Sequence, residues 1–292
     1  MRNVLGVSGR NLRLFFRDPL NVFFSLMGAL IIFVLYALFL GNLQMLSISA
    51  AVPEASAQQV RGFVDAWMLA AVVALSAMTT PLGALSVFVE DGASNRFRDF
   101  LVTPIRRGQL VLGYIGSAFV IGVFMTTVVL IVALGYLWLL SGVVLGVAEV
   151  ARSFLWIVLI TAGFTALWSF IASFLRTQGS FAALSTVVGT VAGFVAGAYL
   201  AVGLIPEAVR NVISALPFAQ SAMLLRREFT AGPLADLVGD DRESFDGLNE
   251  FYGVTLHVGD WAVPLWFAFG ALVALAVVFT VLAASRIRAR IR

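Results

Sequence analysis

The chain has 292 residues, 61% of them hydrophobic and only 12% charged, with a formal net charge of +3. A mean hydropathy of +0.99 lies far outside soluble globular usage and marks an integral membrane protein. No cysteine is present, which excludes disulfides, thiol chemistry and thiolate-bound metal. All 19 basic residues are arginine, so this chain cannot build a P-loop around a lysine and hydrolyse ATP by that route. The basic balance fits arginines that flank membrane spans rather than a nucleic-acid footprint.

Residues 1–18 open with Arg10, Arg13 and Arg17 at i, i+3 and i+7, beside Leu5, Leu12 and Phe16. That pattern predicts an amphipathic helix in the membrane interface, with its arginines on lipid phosphates. The apolar run that follows is too long for a signal peptide and has no small-residue cleavage pattern. Asp18-Pro19 breaks the helix and turns the chain into the bilayer.

Six transmembrane helices are predicted, at 20–40, 67–89, 110–140, 153–175, 181–205 and 262–284. The third is longer than the bilayer requires. The fold class is therefore an all-α polytopic membrane protein, organised as a single domain over 1–292. Thirteen arginines fall on the side of the N-terminus, the 90–109 loop, Arg176 and the C-terminal tail. Only six fall on the other side. The positive-inside rule places both termini and the 90–109 loop in the cytoplasm. The outer segment 206–261 is acidic. Its first part, Ala208–Phe229, reads as amphipathic helices broken at Pro217, and the remainder as a solvated loop. Asp240, Asp241, Glu243 and Asp246 miss the EF-hand spacing, so no metal site is assigned.

The 90–109 loop is the one long polar interruption on the arginine-rich side. Asp91-Gly92 reads as a turn and Ser94 as the N-cap of a short helix over Asn95–Val102. Phe97, Phe100 and Leu101 would share one face of it, while Arg96, Arg98 and Asp99 point elsewhere. Thr103-Pro104 would launch the next helix, with Arg106 and Arg107 beside it. Glu90 and Asp91 close the preceding helix, where the macrodipole disfavours anions, so compensation from outside the chain is expected. The element looks built for docking, although a plain solvated loop shares most of these features.

No ionisable residue falls well inside a span, which argues against an ion-coupled transporter or an intramembrane protease. His257 has no nucleophile or acid around which to assemble a catalytic site, and no enzymatic activity is assigned. Two spans have unusual texture. Span two carries Ser76, Thr79, Thr80 and Pro81. Span five carries Gly189, Gly193 and Gly197 at i, i+4 and i+8, beside Thr186 and Thr190. These residues suit a translocation route or a face for a second subunit; close packing within one chain would use them equally well.

Residues Phe97–Arg107, FRDFLVTPIRR, follow Glu90 and Asp91 and resemble the cytoplasmic loop of ABC-2 type transporter permeases. In that family an acidic segment leads to an L-x-x-L-L-x-[ST]-P stretch with basic residues after it. Residues 215–227, ALPFAQSAMLLRR, resemble the family's outer P-x-x-x-x-x-x-x-x-R region through Pro217 and Arg226. Tyr114 stands where many members have lysine. The resemblance implies a type V exporter-like half-transporter in the cell inner (plasma) membrane. Two such subunits, identical or homologous, would pair with two ABC ATPase subunits, which hold the ATP and magnesium. The helix near Arg96–Val102 would be the coupling helix. Glu90, Asp91, Arg96, Phe97, Phe100, Leu101, Pro104 and Arg107 would form the docking element, and spans two and five would border the route. Export of an amphiphilic drug, antibiotic or lipid is the reading implied. A lipid-linked polysaccharide exporter and a non-transporting scaffold or sensor are the alternatives.

Overall fold

The computed structural model describes residues 2–94, 96, 97, 105, 107–239 and 241–290. The described residues are mostly helical, and their only strands form a two-stranded antiparallel hairpin that pairs His257–Val258 with Trp261–Ala262. Helix α1 (Arg2–Arg17) and the short α2 (Pro19–Ser25) precede the first span. That span runs through α3 (Met27–Leu35), a π-helical turn at Tyr36–Leu40, and α4 (Gly41–Ala51). Span two comprises α5 (Ala57–Ala84) and α6 (Ser86–Ala93), and α7 (Arg107–Tyr136) carries span three. Spans four and five are α8 (Val147–Ala172) and α9 (Gln178–Val195). On the side opposite the arginines lie α10 (Glu207–Ala215), α11 (Pro217–Val238) and α12 (Arg242–Phe251). Helix α13 (Leu265–Arg290) is span six. Among the described residues six helical stretches are long and apolar enough to cross a membrane, in line with the all-α polytopic expectation.

Span two is the hub. In its most apolar stretch 83% of residues are buried, against 24% for span one, 22% for span five and 17% for span six. Spans one, three, four and five and helix α11 all pack on it. Its residues show why: Ala66, Ala70, Ala71, Ala74 and Ala77 keep the backbone accessible to neighbours on every side. Span six packs mainly on span four, where Gly163 lets the Leu272 carbonyl come within 3.3 Å of the place a Cβ would occupy. The outward faces of spans one, three and six carry exposed Leu, Val, Phe and Trp, as a lipid-facing surface requires.

Several predicted features fall out differently. Asp91 and Gly92 are not a turn; α6 continues through both to Ala93. The Ser94 hydroxyl donates to the Glu90 carbonyl at 2.8 Å, at the C-cap of this helix. The helix expected over 95–102 lies outside the described residues, save for Arg96 and Phe97. Span one runs on to Ala51, well past the expected end at Leu40. Span five stops at Val195, where Gly197 turns left-handed with φ +64°, ten residues before its expected end.

The segment 206–261 is not a loop in its later part. Asp241 caps α12 by accepting the backbone N–H of Glu243 and Ser244 and the Ser244 hydroxyl. These bonds hold the Asp241 carboxyl below its usual range, Ser244 contributing most. Pro217 does separate two helices, occupying the first turn of α11, where its missing N–H costs nothing. Beyond it, Ala219–Leu225 are buried, and α11 packs on span two.

Helix α1 also buries a face that the arginine stripe did not mark. Val7, Asn11 and Phe15 are buried on span three, whereas Leu5 and Phe16 are exposed. The Ser8 hydroxyl donates to the Gly113 carbonyl at 3.1 Å, and Asn11 donates to the Ser117 hydroxyl at 3.1 Å. Small residues on α7 let α1 approach this closely: a Cβ on Gly113 would lie 2.6 Å from Val7 Cγ1.

Candidate functional site

Two arrangements gather the candidate residues. The first is a hub around Asp91, whose side chain is fully buried at the arginine-rich end of span two. Arg10 of α1 donates to both its oxygens, at 2.6 and 3.0 Å. The Tyr114 hydroxyl of span three donates to Oδ2 at 2.5 Å, and Arg96 to Oδ1 at 3.2 Å. The same Arg96 nitrogen also reaches Glu90, at 3.2 Å. The compensation expected from outside the chain is therefore supplied from within it. Two guanidinium groups and a phenol offset a buried anion at an unfavourable helix end. The Asp91 carboxylate in turn holds Arg10 above the ordinary arginine value, chiefly through their hydrogen bond.

Phe97 belongs to the same hub. It stacks against Phe88 at 5.5 Å and edge-on to Tyr114 at 6.0 Å, and is 9% exposed. It faces inward, onto Phe88 and Tyr114. Phe100, Leu101 and Pro104 lie outside the described residues. Arg107 opens α7. Arg10 and Tyr114 were missed by sequence reasoning. Arg10 stood in an arginine stripe that suits lipid phosphates, and only Arg13 and Arg17 of that stripe remain exposed.

The second arrangement is a groove of about 330 Å³ where spans one, two and five meet. Thr79 and Gly83 of span two, Thr186, Gly189 and Thr190 of span five, and Gly28 of span one line it. The Thr79, Thr186 and Thr190 hydroxyls each return to a carbonyl one turn back, at 2.9, 3.0 and 3.1 Å. Their donors are spent on their own helices, so the walls are more apolar than the residue types suggest.

Not every predicted residue reaches this groove. Ser76 and Thr80 are within hydrogen-bonding distance of each other, at 3.3 Å, and Ser76 of Thr126 on span three, at 3.4 Å. Pro81 faces spans three and four, since a Cβ on Gly122 would meet its ring at 2.8 Å and Thr161 at 2.7 Å. Pro81 has no N–H to give the preceding turn. One residue past that turn, the Met78 carbonyl takes the Trp168 indole N–H at 2.6 Å, tying span four to this stretch. The glycines of span five do not form one ridge either. Gly189 borders open space, Gly193 receives the Tyr199 ring, and Gly197 lies beyond the helix.

A third feature closes the opposite side. Arg226 of α11 is 1% exposed. Its Nη2 donates to the carbonyls of Ala196 and Gly197 at 3.1 and 2.6 Å, at the end of span five. Its guanidinium lies 5.2 Å from the centroid of the Trp67 ring of span two. Burial pushes its pKa down to about 10, which still leaves it charged at neutral pH. Gly197 and Gly253, at φ +64° and +67°, turn the backbone around it; a Cβ on Gly253 would sit 2.9 Å from Nη1. Sequence reasoning singled out Arg226 only through a family resemblance, and Trp67 not at all.

The sequence profile of the ABC-2 family transporter proteins matches residues 42–285, from the far end of span one to the last turns of span six. The chain belongs to the ABC-2 transporter family. No curated protein matches it. Proteins of this family are the membrane subunits of ABC transport systems, a membership that implies an ATPase partner. The matched stretch includes Asp91, Arg96 and Tyr114 but not Arg10, together with the groove walls of spans two and five, and Arg226.

Proposed function

We propose that the chain is the permease subunit of an ABC-2 exporter that moves an amphiphilic small molecule or lipid outward. Two copies, or one copy and a homologue, would pair with two ATPase subunits seated on the arginine-rich side. The observation that carries this reading is the groove: hydroxyl and glycine positions from spans two and five converge on one open, largely apolar concavity. The three helices around it include two of the most sparsely buried spans, which leaves them free to move or to meet a second subunit. The Asp91 hub supports a mechanical link. Force applied to the segment after α6 would reach span two through Asp91, span three through Tyr114 and α1 through Arg10. By the arginine count, this side faces the cytoplasm.

The test is affinity purification of the tagged chain from its host, with ATPase activity assayed on the eluate. Phe100→Ala with Leu101→Ala is the informative variant. Phe97 already packs inside the chain, so its loss would disturb the fold. If these two residues seat in the ATPase, their removal costs about 2 kcal/mol or more of docking and the ATPase is lost from the eluate. A chain that elutes alone and without ATPase activity sinks the exporter reading and favours a scaffold or sensor.

A further inference from the structure

A second concavity, of about 400 Å³, lies at the arginine-rich end of the groove. Asp18, Asn21, Ser86, Glu90, Arg96 and Gln178 line it, and it shares Phe24 with the groove. The two concavities run end to end along the same three helical stretches. On span two the order is Glu90 and Ser86, then Gly83 and Thr79. On the segment leading into span one it is Asp18 and Asn21, then Ser25 and Gly28. On span five Gln178 comes first, then Thr186 and Gly189. Polarity therefore falls in one direction along all three.

The charges of this mouth are unequal. Its guanidinium, Arg96, is already held by Glu90 and the buried Asp91. Asp18 has no ionic partner among the described residues; one oxygen accepts the Asn21 backbone N–H at 3.1 Å and caps α2. An anionic head would meet two carboxylates beside a guanidinium whose charge is already paired with Glu90 and Asp91, whereas an ammonium head would meet Asp18 and the exposed side of Glu90. Further in, the threonines show methyl groups rather than free hydroxyls, and Ile31, Leu82 and Val188 complete the wall. We infer that the mouth and groove together bind an amphiphile with a cationic head, its head at Asp18 and Glu90 and its apolar body along Thr79, Thr186 and Gly189. This inference rests on the exporter reading and names the substrate class for it.

The experiment uses the full chain in phosphatidylcholine nanodiscs and two photoreactive probes that share one diazirine-bearing alkyl chain. One probe ends in a primary ammonium, the other in a phosphate. Cross-linked peptides are mapped after irradiation. The ammonium probe should label peptides of spans one and five saturably, about fivefold more than the phosphate probe, the scale expected for two partly exposed carboxylates. Asp18→Asn with Glu90→Gln should erase that preference; asparagine still caps α2 and glutamine still accepts from Arg96. Gly189→Leu, where no atom lies within 4 Å of the added Cβ, should block labelling by both probes. Equal labelling of the wild type by the two probes, or a preference that survives the double substitution, overturns the headgroup assignment. Labelling indifferent to Gly189→Leu overturns the groove as the site of the apolar body. Neither result depends on an ATPase, so head selectivity without a co-purifying ATPase would sink the exporter reading alone.

Discussion

The chain buries one anion and one cation at opposite ends of span two, and it satisfies them by opposite means. Asp91 is surrounded by charge: Arg10, Arg96 and the Tyr114 hydroxyl come from three different segments. Arg226 has no carboxylate near it among its hydrogen-bond partners, only two backbone carbonyls and the face of Trp67. Both guanidiniums on Asp91 are partly exposed, 31% for Arg10 and 46% for Arg96, so either can exchange its bond for water. Arg226 has no such exit. The first arrangement suits a joint that transmits movement between segments. The second suits a fixed clasp between α11, span two and the end of span five. It also explains why span five ends so early: the carbonyls exposed by the left-handed Gly197 are the ones Arg226 takes.

The largest effect expected from this contrast is at the clasp. Arg226→Met keeps an apolar stem but leaves the Ala196 and Gly197 carbonyls buried without donors, at a cost of about 3 kcal/mol. The apparent unfolding midpoint in detergent should fall clearly, and Arg226→Lys should recover part of the loss. Asp91→Ala should cost less, about 2 kcal/mol, because Arg10 and Arg96 can turn to solvent and only the Tyr114 hydroxyl is stranded. Its distinctive readout is hydrogen exchange. Amides of α1 should open faster while those of α11 stay protected. If Asp91→Ala destabilises the protein more than Arg226→Met, the distinction between joint and clasp is broken.

Periodicity and arginine placement made the spans legible, because a membrane helix announces itself by length and apolarity alone. The texture of spans two and five was legible too, and Thr79, Thr186, Gly189 and Thr190 do converge on one groove. What one sequence could not show was which side of each helix its polar residues occupy. Thr79 and Thr80 are neighbours, yet one lines the groove and the other is fully buried beside Ser76, since adjacent helical residues point about 100° apart. The Asp91 partners were hidden for a different reason. Arg10 and Tyr114 lie 81 and 23 residues away, and an arginine near a membrane surface has a ready alternative partner in lipid phosphate. The left-handed Gly197 could have been anticipated only by treating it as a helix end and not as the third member of a ridge.

Glycine substitutions sharpen the same comparison at smaller scale, because two glycines of similar sequence setting face opposite surroundings. Gly113→Ala would press a Cβ to 2.6 Å from Val7 Cγ1 and force α1 away from span three. The cost should be about 1 kcal/mol, recovered by Val7→Ala in the double variant, which a double-mutant cycle of unfolding midpoints would reveal as coupling. Gly189→Ala adds the same methyl group to an open wall with no atom within 4 Å. Stability should then change by no more than about 0.5 kcal/mol, or rise slightly, since alanine favours the helix. A marked loss at Gly189 would mean that something already occupies the open side of span five when the protein is purified. That occupant would be a second subunit or a retained lipid, and cross-linking a cysteine at 186, one turn before it on the same groove-lining face, would separate the two: only a second subunit gives a disulfide-linked dimer.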